Sequence, residues 1–87
     1  MAGYHIKDIA PGKFGELSKI REELDEAFDA EEQENKLMIL VELADIIGAV
    51  EGYLSKNFNQ AVSLEDLVKM ARVTQSAFET GHRKPKE

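Results

Sequence analysis

The sequence predicts an all-α fold, in which three helices form a bundle that further copies of the chain complete. In two segments apolar side chains recur every three or four residues, and in a third they cover most of the helix circumference. No segment alternates apolar and polar residues over the length of a strand. The chain has only 87 residues, of which 43% are hydrophobic, so a core closed within one copy would be thin.

The N-terminal part, residues 1–13, contains Pro11 and Gly12 and shows little periodicity, which indicates an extended or irregular arm. A helical domain follows over residues 14–81, and residues 82–87 form a charged tail. We expect the first helix to run from Phe14 to about Ala30. Its apolar stripe consists of Leu17, Ile20, Leu24, Ala27 and Phe28.

The second helix is predicted from about Glu32 to Lys56, with Asp29 and Glu32 spaced as a capping box at its start. Apolar residues surround most of it between positions 37 and 50, which indicates a central place in the bundle. The third helix is predicted to start after Ser63, with Asp66 as the capping partner. It should stop at Gly81, a residue suited to a left-handed cap.

Composition excludes several classes of function. The chain has no cysteine, so disulfides, thiolate metal sites and thiol nucleophiles are ruled out. No apolar run is long enough to span a bilayer and no signal peptide is recognisable, so we expect a cytoplasmic protein without a membrane partner. The net charge of -6 opposes binding to nucleic acid.

Two pairs of acidic residues have matching spacing on the first two helices. Glu23 and Glu26 share one side of the first helix, and Glu42 and Asp45 lie three apart within the apolar part of the second. If the two helices pack antiparallel, these carboxylates face one groove. No lysine or arginine occurs between residues 37 and 55, and hard divalent cations prefer oxygen ligands. The pattern therefore predicts a site for Mg²⁺, with Mn²⁺ as an alternative.

Simpler interpretations of the same acids stay open. The acidic residues of the first helix, taken alone, also fit a solvated acidic face. Glu42 and Asp45 also fit a structural role, such as an ion pair with Lys19 or with a lysine of a second subunit.

The segments "REELDEAFDA" and "VELADIIGAV" resemble the EExxE and ExxD motifs of the MazG-like, all-α nucleotide pyrophosphohydrolases. Glu22, Glu23 and Glu26 match the first motif, and Glu42 and Asp45 match the second. The resemblance covers about residues 14–56.

The resemblance implies an enzyme that cleaves a nucleoside triphosphate to a monophosphate and pyrophosphate, with water attacking the alpha phosphate. It implies Glu23, Glu26, Glu42 and Asp45 as Mg²⁺ ligands. Glu22 and Glu23 would be catalytic, Glu22 as a further ligand or as the base that orients water. It also implies a homodimer or homotetramer.

Phosphate contacts require basic groups, and the candidates are Lys56, His82, Arg83 and Lys84. The three in the tail also fit a solubilising segment. Tyr53 or Phe14 would stack on the base, although either also fits the core or a subunit contact. The sequence assigns no role to His5.

The chain departs from the family pattern because only a short arm precedes the first motif, where family members commonly have another helix. The preceding helix contributes to the base pocket in the family, so substrate selectivity is the property that the resemblance transfers least.

Two rival functions also remain open. The segment "VTQSAF" in the third helix has some likeness to a helix-turn-helix DNA-binding element, which the charge disfavours. A non-catalytic helical interaction module is the other.

Overall fold

The computed structural model describes residues 5–81 and has three α-helices: α1 (Leu17–Glu32), α2 (Lys36–Phe58) and α3 (Leu64–Glu79). Within this range the chain forms no β-strand, which confirms the all-α class. The tail 82–87, with Arg83 and Lys84, lies outside the described residues. None of the three helices combines the length and the apolar character that crossing a membrane requires.

The first two helices form an antiparallel hairpin because only three residues connect them and they pack together extensively. Small side chains lie buried along the contact, namely Ala27, Ala30 and Ala49. Their size lets the two backbones approach closely. The hairpin is therefore held by close packing of two helix backbones and encloses only a small apolar core.

The helix junction differs from the sequence prediction. α1 extends to Glu32, and Glu34 then takes a left-handed conformation with φ of 56°. The N–H groups of Glu34 and Asn35 donate to the carbonyls of Glu31 and Ala30, at 2.9 and 3.0 Å. These are the two hydrogen bonds of a Schellman cap, here formed without glycine.

The predicted capping box of Asp29 and Glu32 is wrong. Asn35 caps α2 instead, because its side chain accepts a hydrogen bond from the Met38 N–H at 3.1 Å. Asp29 lies inside α1 and is fully buried, with its carboxylate turned to the N-terminal arm. A side chain used in this tertiary contact is not available to cap the next helix.

The start of α3 agrees with the prediction. Ser63 Oγ accepts from the Asp66 N–H at 3.2 Å, and Asp66 Oδ2 accepts from the Ser63 N–H at 2.9 Å, which completes the capping box. Gly81 follows the helix with φ of 83°, as expected for a left-handed position. α3 contacts only the hairpin helix α2 and buries none of its own residues.

The N-terminal arm is fixed to the first turns of α1 at Gly12. Its N–H donates to Glu22 Oε1 at 2.8 Å. A Cβ atom at this position would lie 2.2 Å from the Ser18 carbonyl oxygen, which is far inside van der Waals contact. Only glycine therefore permits this approach, and the same contact holds the Glu22 carboxylate.

Replacing Gly12 with alanine should lower the free energy of unfolding by about 1–3 kcal/mol, because the added methyl group meets backbone atoms. Gly48→Ala is the matched control, since nothing lies within 4 Å of a Cβ there. That change should raise the free energy of unfolding by roughly 1 kcal/mol, because alanine favours a helix interior. Urea denaturation of both variants checks the pair, and equal effects would contradict the close approach.

Candidate metal centre

Five carboxylates from α1 and α2 line one groove with a volume of about 450 Å³: Glu22, Glu23, Glu26, Glu42 and Asp45. Oxygen atoms of Glu23, Glu42 and Asp45 lie within 4.8 Å of one another. Glu22, Glu23 and Glu26 form a second group of the same size on α1. The antiparallel hairpin thus brings together the acids of both motifs.

Two of these carboxylates are buried deeply. Glu42 is 2% exposed and Glu23 is 7% exposed. Glu23 Oε1 and Glu42 Oε1 are both buried and accept no hydrogen bond from the described residues. A buried carboxylate oxygen without a donor is costly, so the arrangement calls for a cation between the helices.

Lys19 supplies only part of the required positive charge. Its Nζ lies 3.1 Å from Glu22 Oε1 and 3.1 Å from Glu23 Oε2, on the α1 side of the groove. Hydrogen bonding to Glu22, and then to Glu23, raises the pKa of Lys19. Lys19 thus pairs with the acids of α1, whereas the sequence alternative paired it with Glu42 and Asp45.

The groove separates acids with raised and lowered pKa values. Burial, followed by the charge of Glu23, raises the pKa of Glu26. Burial, followed by the charge of Asp45, raises the pKa of Glu42. In contrast, the Gly12 N–H and then Lys19 lower the pKa of Glu22. The surroundings of Glu22 therefore favour its ionised form, whereas the surroundings of Glu26 and Glu42 favour their neutral forms.

The N-terminal arm adds a histidine that the sequence analysis did not assign. His5 Nε2 lies 3.5 Å from Glu26 Oε1 and 3.8 Å from Glu42 Oε2, and its Nδ1 lies 2.7 Å from Asp29 Oδ2. The spacing of Glu22, Glu26 and Asp29 at four and three residues could have indicated that Asp29 faces the same side. His5 gave no such signal, because its partners are far away in sequence.

The predicted substrate contacts lie elsewhere on the chain. Tyr53 is half-buried and its ring centroid is 6.3 Å from that of Phe58. The stem of Lys56 lies beside Gly15. At 1.5 Å rise per residue, Lys56 is about 16 Å along α2 from Asp45. Neither Tyr53 nor Lys56 lines the acidic groove.

Phe14, the other candidate for stacking, lies against Gly52. A Cβ atom on that glycine would be 2.4 Å from the Phe14 ring. The ring is nevertheless 66% exposed. The Phe14 ring thus lies over the end of the α1–α2 hairpin that is far from the connecting residues 33–35.

Comparisons of the chain with protein-family models, curated proteins and solved structures found no match. The groove contains clustered carboxylates, two of which have buried oxygens without a donor among residues 5–81. They form a ligand set suited to a hard divalent cation.

Without divalent cations, the free energy of unfolding should fall as pH rises from 4.5 to neutrality. Glu26 and Glu42 have raised pKa values in the folded protein, so the folded state holds more protons in this range than the unfolded state. Urea denaturation at several pH values, in the presence of a chelator, measures this pH dependence. Glu42→Gln should reduce the pH dependence and stabilise the protein at neutral pH, whereas the exposed Glu51→Gln should do neither. A free energy of unfolding that rises over this pH range would contradict the raised pKa values of Glu26 and Glu42.

Proposed function

We propose that this chain is a nucleoside triphosphate pyrophosphohydrolase that depends on a divalent cation. The observation that carries the proposal is the Glu42 carboxylate, which is buried between two helices beside Glu23 and Asp45. An acidic face that served only for solvation would keep such groups in water. Burial of Glu42 Oε1 without a donor from the described part of the chain instead favours a site built for a cation, and the motif resemblance supplies the reaction.

The residues that would hold the cation are Glu23, Glu26, Glu42 and Asp45. A bound Mg²⁺ or Mn²⁺ ion would supply the positive charge that lets an acidic groove accept a triphosphate. This accounts for a polyanionic substrate on a chain of net charge -6. Side chains around the groove would orient the attacking water and bind the rest of the nucleotide.

Glu22 is suited to orient the attacking water. Its Oε1 is held by the Gly12 N–H at 2.8 Å and by Lys19 Nζ at 3.1 Å, so the carboxylate has a fixed position. Its lowered pKa keeps it ionised, and an ionised carboxylate accepts a hydrogen bond from water. Water directed in this way would attack the alpha phosphate in line with departing pyrophosphate. Glu23 neighbours Glu22 and shares Lys19, which fits its proposed part in catalysis.

The groove also has an apolar side that suits the less polar part of the nucleotide. Met38 and Val41 line the same groove opposite the acids of α1. We assign the sugar or base to this side. Lys56, Arg83 and Lys84 remain proposed phosphate contacts and Tyr53 a proposed base contact, on the sequence reasoning alone.

We further propose that the enzyme is a homodimer or homotetramer. One side of α2 carries a stripe of exposed apolar residues: Leu37, Leu40, Leu43 and Ile47, which are 72%, 64%, 46% and 50% exposed. A contiguous apolar patch of this kind marks an interaction surface. Burying it against the same helix of a second copy would also enlarge the thin core.

The purified protein should release pyrophosphate from at least one nucleoside triphosphate when Mg²⁺ is present. Glu42→Gln and Asp45→Asn should each reduce turnover at least about 100-fold, because each removes a cation ligand. Glu51→Gln, an exposed acid on the same helix, is the control and should keep full activity. Unchanged turnover in both ligand variants would refute the proposal, and salt-sensitive duplex binding unaffected by them would favour the DNA-binding alternative.

Leu40→Glu should shift the protein towards a monomer, because it places a charge within the apolar stripe of α2. Sedimentation velocity measures the change in mass. Ser76→Glu adds the same charge on the exposed polar side of α3 and should leave the assembly intact. A wild-type protein that sediments as a monomer at all concentrations would contradict the oligomeric proposal.

A further inference from the structure

The imidazole of His5 is held in one orientation by a buried acid. Its Nδ1 lies 2.7 Å from Oδ2 of Asp29, a side chain with no exposed surface. The same oxygen accepts a hydrogen bond from the Ile6 N–H at 3.0 Å. An ionised carboxylate can only accept, so we assign the hydrogen between the two groups to Nδ1. Nε2 is then the ring atom that faces the carboxylates of Glu26 and Glu42.

His5 Nε2 faces two carboxylates of the proposed centre. It is 3.5 Å from Glu26 Oε1 and 3.8 Å from Glu42 Oε2, and one ligand atom from each residue lies within 4.8 Å of the others. These distances exceed those of hydrogen bonds. The mutual spacing of the three ligand atoms suits one ion that would bind one nitrogen and two oxygens.

We infer that His5, Glu26 and Glu42 form a second cation position with mixed nitrogen and oxygen ligands, beside the all-oxygen position of Glu23, Glu42 and Asp45. Glu42 is shared by both positions. The inference rests on the proposed function, because both require that the groove bind divalent cations. Nothing in the motif resemblance places a histidine here.

Two independent features support this position. The Asp29 contact to Nδ1 is the pattern in which a carboxylate orients a metal-binding histidine from behind. In addition, Glu42 is 2% exposed and its Oε1 receives no hydrogen bond from the described residues. The buried Glu42 carboxylate thus offers one oxygen, Oε2, beside His5 and a second, Oε1, for the neighbouring all-oxygen position.

The ligand set indicates which ions the position selects. Imidazole nitrogen suits Zn²⁺ and Co²⁺, whereas Mg²⁺ prefers oxygen and keeps much of its water. The position of His5 should therefore bind a transition metal, and the all-oxygen position should bind Mg²⁺. The competing interpretation is a protonated His5 that itself acts as the cation between Glu26 and Glu42.

Nuclear magnetic resonance of the histidine rings tests the ligand directly in the unmodified protein. Long-range ¹H–¹⁵N spectra are recorded during titration with Zn²⁺ and, separately, with Mg²⁺, and His82→Gln assigns the two rings. The Nε2 signal of His5 should move to the range of metal-bound nitrogen with Zn²⁺ and stay in place with Mg²⁺. A His5 Nε2 signal that is unaffected by saturating Zn²⁺, or that titrates only as a protonated ring, overturns the inference.

Isothermal titration calorimetry distinguishes a His5 that binds the metal from a protonated His5 that competes with it. His5→Gln should weaken Zn²⁺ binding at least about tenfold, and Asp29→Asn should weaken it about 10- to 100-fold through loss of ring orientation. Mg²⁺ affinity should not change in His5→Gln. The control Lys7→Gln removes the exposed ion pair of the arm with Glu32 and should leave both affinities unchanged.

The possible failures are distinguishable. If His5→Gln binds Zn²⁺ as tightly as wild type or more tightly, the second position is wrong. Pyrophosphate release with Mg²⁺ would then still support the proposed function. If wild-type protein binds Zn²⁺ through His5 but releases no pyrophosphate from any nucleotide, only the proposed function fails. Absence of any divalent cation binding refutes both.

Discussion

The burial of Glu42 against the acids of α1 is the constraint on which the rest of the structure depends. A carboxylate that is 2% exposed beside other carboxylates destabilises a hairpin unless positive charge reaches it. The structure supplies Lys19 to the acids of α1 and directs His5 towards Glu26 and Glu42. The proposed cation accounts for the charge that remains. Folding and ion binding would therefore be coupled in this protein.

The N-terminal arm is the second element of the site, although its described residues 5–13 have no regular secondary structure. At one point Gly12 contacts the backbone of α1 and holds Glu22 in position. At another, His5 and Ile6 bind the buried Asp29. The arm is thus held to α1 by polar contacts at both points.

The distribution of apolar surface is the basis for proposing that several copies of the chain associate. The buried apolar residues are Ala27, Ala30, Ala49 and Leu54, most of them small. Larger side chains such as Leu37, Val73 and Phe28 remain more than half exposed. No residue of α3 is fully buried, so its helical structure depends strongly on its caps and on whatever covers its apolar face. Association of several copies would bury this surface while leaving the groove between α1 and α2 in each copy.

The sequence by itself determined the three helices, the capping box at Ser63 and the left-handed stop at Gly81, because these depend on local periodicity and local hydrogen bonds. It also placed the acids of both motifs on facing sides, since spacing along a helix fixes direction. Only the tertiary structure decided that Asp29 binds His5 rather than capping α2. That contact joins the arm to α1 across 24 residues of sequence, a distance over which helix periodicity and capping patterns carry no information.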